Sequence, residues 1–131
     1  MASMDGTIAL FVLVGVVFAG LGVLSLTGRL PRNGVAGVRI AGAMASDTAW
    51  YAAQRASAPW MIATGAAGFL LAVVFGVPWL ATGRILADPQ ILSGGFAVFL
   101  LGMATAMIIV SRRALRALQK QSDPGHAPWQ R

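Results

Sequence analysis

Three apolar runs set the plan of the chain, at about 7–26, 59–81 and 90–110. Each holds roughly the 20 residues that an α-helix needs to cross about 30 Å of hydrocarbon. In the first run Gly15, Ala19 and Gly22 follow at i, i+4, i+7 and predict a small-residue face on which another helix can pack. In the second, Thr64, Gly68, Ala72 and Gly76 recur at spacings of four and predict a longer ridge of the same kind. Ser57 reads as its N-cap, with Pro59 in the first turn. Trp60 and Trp79 stand near its two ends as an aromatic belt would, and Pro78 kinks or finishes it. Asp88 followed by Pro89 reads as the cap and first residue of the third helix, which carries the small pair Gly102 and Ala106. Its helical pattern continues through SRRALRALQKQ, and 122–131 reads as a disordered tail.

The polar stretch from Gly28 to Trp60 interrupts this plan between the first two runs. Pro31, Gly34 and Gly37 break regular structure at its start. Ser46 and Asp47 then read as a helix start, a capping hydroxyl followed by an acid in the first turn. From Thr48 to Ala56 the pattern predicts a short amphipathic helix, with Ala49, Trp50, Ala53 and Ala56 on one face and Tyr51, Gln54 and Arg55 pointing elsewhere. Such a helix would lie at the membrane surface with Trp50 at headgroup level. The expected fold is therefore an all-α integral membrane protein. Three transmembrane helices form one domain over 1–121, and a cytoplasmic loop between the first two holds the short helix.

Composition narrows the function. The chain is 57% hydrophobic and 11% charged, against about 25% charged in soluble domains. It has no cysteine, which excludes disulfides, thiol catalysis and thiolate metal sites. The central parts of the spans carry no Asp, Glu, Lys, Arg or His, the usual mark of proton relays and ion pathways, which argues against a self-contained pump. The one histidine, His126, falls in the tail, and no phosphate loop, paired carboxylates or Ser/His/Asp set is present. The expectation is no enzyme, no metal and no cofactor. MASMDG lacks the basic start of a signal peptide, so the first run reads as an uncleaved span.

The net charge of +6 is placed by topology rather than by nucleic acid. Arg29, Arg32, Arg39 and Arg55 lie in the first loop, and Arg112, Arg113, Arg116, Lys120 and Arg131 follow the third span. The N-terminus has no Lys or Arg, and the second loop has only Arg84. Basic and basic-poor segments alternate as three spans require, which puts the N-terminus outside and the first loop and C-terminus inside. Arg112, Arg113, Arg116 and Lys120 then meet anionic headgroups. The alanine- and arginine-rich, lysine-poor composition points to a high-GC bacterium, hence to a bacterial plasma membrane.

Within the loop two readings stay open. It is an interfacial linker whose arginines touch lipid phosphates, or a small polar site gathering Asn33, Arg39, Ser46 and Asp47, with a possible Arg39–Asp47 contact. The order Asn33, Gly37-x-Arg39, Ser46, Trp50 between a first and a second span resembles the SdpI family of membrane proteins, in its short three-helix form. The resemblance runs from about Thr7 to Leu80. Ile40 stands where Thr is common, and Ala53 and Gln54 where His or Asn often follows the Trp. It implies a founding member that gives immunity to a secreted peptide toxin and signals to a repressor. By the same resemblance, Gly37 permits a turn, Arg39 donates to carbonyls or phosphates, and Trp50 anchors at the interface. Two functions follow as expectations: an immunity or sensing protein, or a small subunit packed through its small-residue ridges against a larger membrane protein or other copies of itself.

Overall fold

A computed structural model of the protein describes residues 3–122. The order of elements is α1 (Met4–Leu26), α2 (Ala41–Met44), α3 (Asp47–Thr82) and α4 (Pro89–Gln121). Helices α1, α3 and α4 are each long and apolar enough to cross a membrane.

Local chemistry sets their ends. The Ser3 hydroxyl accepts the Gly6 amide at the start of α1. Ser46 caps α3 by accepting the Ala49 amide at 3.1 Å, with Asp47 in the first turn. Gly83, at φ 66°, ends that helix in the left-handed conformation that costs glycine nothing. Asp88 caps α4 through the Gln90 amide at 2.7 Å, with Pro89 as its first residue.

The small-residue faces bring α1 and α3 into backbone contact. A Cβ added to Gly68 would lie 2.7 Å from the Phe11 carbonyl oxygen and 3.0 Å from the Gly15 nitrogen. One added to Gly65 would lie 2.6 Å from the Ala19 nitrogen, and one at Gly22 2.6 Å from Ile62. Thr64 is fully buried and donates to its own helix at the Trp60 carbonyl, Gly76 is buried beside Ile8, and Ala72 is half-buried. Helix α4 packs on α3 and also touches α1, where the Phe11 and Phe96 rings meet edge to face at 4.8 Å. At the far end the Trp79 indole donates to Asp5 at 2.8 Å and ties α3 to the start of α1.

Four expectations are corrected. The separate surface helix does not exist: Thr48 to Ala56 is the first part of the unbroken 36-residue α3. Ser57 is therefore not a cap. It is buried inside the helix and donates to the Gln54 carbonyl, and Pro59 likewise stands inside the helix and not in a first turn. Pro78 does not finish the helix, which runs on to Thr82. A Cβ added at Gly102 would meet nothing within 4 Å among the described residues, and Ala106 is half-buried. The tail expectation falls, beyond Ser122, outside the described residues.

At about 1.5 Å per residue, α3 and α4 span roughly 54 and 50 Å, against about 30 Å of hydrocarbon. The excess lies at one end for both, since they are antiparallel neighbours. There the start of α3, the end of α4, α2 and the loop form a single packed unit.

Candidate functional site

That unit sits at the basic end of the molecule, and its hydrogen bonds converge on the loop. Asn33 makes the first turn: its Oδ1 accepts the Val35 and Ala36 amides, both at 2.8 Å, and its Nδ2 donates to the Pro31 carbonyl at 2.7 Å. Arg39 reaches back to donate to the Gly34 carbonyl. The polypeptide then runs extended, with Val38 and Ile40 turned inward and Arg39 exposed.

Helix α3 holds this segment through two side chains four residues apart. Trp50 is completely buried and its indole donates to the Leu30 carbonyl at 2.8 Å. Gln54, also completely buried, accepts the Val38 amide at 3.1 Å and donates to the Val38 carbonyl at 3.0 Å. One amide side chain thus replaces the strand partner that the extended backbone lacks. Gly37 is fitted to it twice over. Its φ is 94°, and a Cβ there would stand 2.7 Å from Gln54 Oε1. Ser111 of α4 completes the support by donating to the Ala53 carbonyl at 3.1 Å, beside a buried contact of Ala43, Ala53 and Leu115.

The signature residues therefore meet in one region, with changed partners. Asp47 pairs with Arg32 at 3.1 Å, and the Arg39–Asp47 contact does not form. Arg32 also donates to the Met44 carbonyl at 3.0 Å, so it bridges the loop and the ends of α2 and α3. The Arg32 and Asp47 side chains are 40% and 73% exposed, so water weakens the pair to at most about 1 kcal/mol. Ser46 is a helix cap and not part of a pocket with Asn33. Trp50 is an internal strut and not a headgroup anchor, because a whole face of the loop covers it.

Gln54 is the residue that sequence reasoning missed. The signal was its place four residues after Trp50, in line with Ser57, Met61, Thr64 and Gly68 on one continuous stripe. A polar side chain on that stripe breaks an apolar pattern only if backbone groups there need no partner, and those of Val38 do. Among the described residues no buried side-chain nitrogen or oxygen lacks a partner.

The sequence profile of the SdpI/YfhL protein family matches residues 29–112. The chain belongs to this family. The match takes in the loop, α2, α3 and most of α4, so the family pattern extends past Leu80 into the third span, whereas α1 precedes it. No curated protein and no solved structure matches the chain. Within this SdpI-family protein, Asn33, Gly37 and Trp50 serve to shape and hold the loop, and Arg39 closes it while keeping its guanidinium at the surface.

Proposed function

We propose that this SdpI-family membrane protein acts in immunity to, or sensing of, a membrane-active peptide. The carrying observation is the continuous α3, which runs through Pro59 and joins the loop clamp to the membrane-embedded packing stripe without a break in the helix. A peptide that wedges between the spans shifts α3 against α1, and the shift reaches Trp50 and Gln54 because they ride on the same continuous helix. The loop then changes its exposed surface, whose most open large apolar side chain is Val35, 88% exposed. The buried polar groups of the region already serve the shape of the loop, which suits a binding and signalling role better than a chemical one.

The test is survival of a sensitive bacterial strain challenged with a membrane-permeabilising peptide, with and without the protein. It is combined with thiol labelling of Val35→Cys before and after the peptide is added. Protection together with altered labelling supports the reading. Unchanged survival and unchanged labelling, with the protein present in the membrane, sink it.

A second reading, a subunit of a larger membrane assembly, has one observation in its favour. Among the described residues, a Cβ added at Gly94, Gly95 or Gly102 of α4 would meet nothing within 4 Å, which leaves an open face where another helix could approach. A stoichiometric membrane protein that co-purifies with the wild-type chain, and is lost with Gly102→Leu, would support it.

A further inference from the structure

A groove of about 380 Å³ opens between α1, α4 and the loop, and it falls within the size range of ligand sites. Its walls are Phe18, Leu21, Met61, Met107 and Ile108, and its rim is Arg39. We infer that this groove is a binding site for an anionic phospholipid, with an acyl chain along the apolar walls and the phosphate on the Arg39 guanidinium.

Three observations lead there. The first is depth. Ile108 lies one helical turn before Arg112, so the groove runs from the apolar part of α4 to the level where its charged extension begins. Arg39 is thus placed where a lipid phosphate lies when its tail is in the hydrocarbon. The second is charge. Of the three acids among the described residues, Asp47 is paired with Arg32, and Asp5 and Asp88 belong to the opposite end of the molecule. Among the described residues Arg39 has no carboxylate partner. The structure gives it one bond, to a neutral carbonyl, which leaves most of its planar fork of donors for a phosphate. The third is lining. Met61 and Met107, with Met103 behind them, provide unbranched side chains that adapt to a flexible chain. Nucleic acid would have no use for its apolar walls.

This inference is independent of peptide sensing. It gives the loop a second input, the lipid composition of the leaflet, since Arg39 adjoins the residue that Gln54 clamps.

The full-length chain in mixed micelles with dioleoyl phosphatidylglycerol or dioleoyl phosphatidylcholine, read by native mass spectrometry, tests it. One phosphatidylglycerol per chain is expected, retained at least about tenfold better than phosphatidylcholine, whose phosphate charge is offset by its own choline cation beside the guanidinium. Arg39→Gln should erase that preference, whereas Arg55→Gln, at an exposed arginine outside the groove lining, should keep it. Ala104→Phe, which fills the groove from α4, should lower retention of both lipids. Intact Trp50 fluorescence in each variant shows that it has folded. Equal retention by wild type and Arg39→Gln overturns the site. So does loss of the preference only when Arg112, Arg113, Arg116 and Lys120 are all replaced, or a dimer that retains no lipid.

Discussion

Gln54 holds Val38 by both of its backbone groups, across sixteen residues of sequence and at a fully buried position. Removing that side chain strands a buried N–H and a buried C=O, each costing about 1–3 kcal/mol. Gln54→Leu should therefore lower the unfolding temperature in detergent and expose the 28–46 loop to protease. Gln54→Glu is a sharper probe. Its ionised form accepts from the Val38 amide but cannot donate to the carbonyl, whereas its protonated form can do both. Burial raises the folded-state pKa of this introduced acid above the unfolded value of about 4.3. Its contribution is then present below that value and lost as pH rises through the folded pKa. Loop protection in Gln54→Glu should improve on acidification, and a pH-independent loop would contradict the clamp.

Trp50 donates to Leu30 from inside the protein. A variant that keeps Trp50 but replaces Trp60, Trp79 and Trp129 by Phe should emit at short wavelength and resist quenching by both acrylamide and brominated lipid. Strong quenching by brominated lipid would return Trp50 to the headgroup layer. Trp50→Phe keeps most of the apolar bulk and loses the hydrogen bond, so about 0.5–1.5 kcal/mol of stability should go, or more if the carbonyl finds no water.

The glycines of the spans divide into two kinds. At Gly65 a methyl group would press on the Ala19 backbone, which cannot rotate away, whereas at Gly102 nothing stands within 4 Å. Gly65→Ala should destabilise by about 1–3 kcal/mol through forced separation of α1 and α3. Gly102→Ala should be neutral or gain up to about 1 kcal/mol from helix propensity. Similar effects at the two positions, in thermal unfolding of the purified monomer, would contradict the α1–α3 packing.

At the start of α3, Ser46→Ala removes the cap and should cost about 1 kcal/mol. Asp47→Asn breaks only an exposed pair and should cost less, at most about 1 kcal/mol, and progressively less at high salt. A larger loss for Asp47→Asn than for Ser46→Ala would mean that the Arg32 bridge carries more of the loop than its exposure allows.

The basic residues predict an orientation with the N-terminus outside, and it can be read without background, since the sequence has no cysteine. In intact cells a membrane-impermeant maleimide should label Arg84→Cys and spare Val35→Cys until the cells are opened. The reverse pattern would invert the topology.

Periodicity and composition alone determined the all-helical membrane plan, the approximate spans, the caps at Ser46 and Asp88, and the small-residue stripe that carries Gly68 and Gly76. These depend on local backbone chemistry and on the length of helix that a bilayer demands, and both are written in consecutive residues. The order Asn33, Gly37-x-Arg39, Ser46, Trp50 also marked the region where the loop site is built. Only the tertiary structure decided how those residues are used. Sequence spacing offered Arg39 to Asp47, but the Asn33 turn brings Arg32 there and sends Arg39 to the groove rim. Ser57 and Pro59 suggested the start of a new helix, with Gln54 on the polar face of the one before it, but the helix continues because a folded loop covers Gln54 and the helix backbone satisfies Ser57. Whether a polar side chain faces water or a backbone that needs it is settled by what the rest of the chain lays against it, and no local pattern records that.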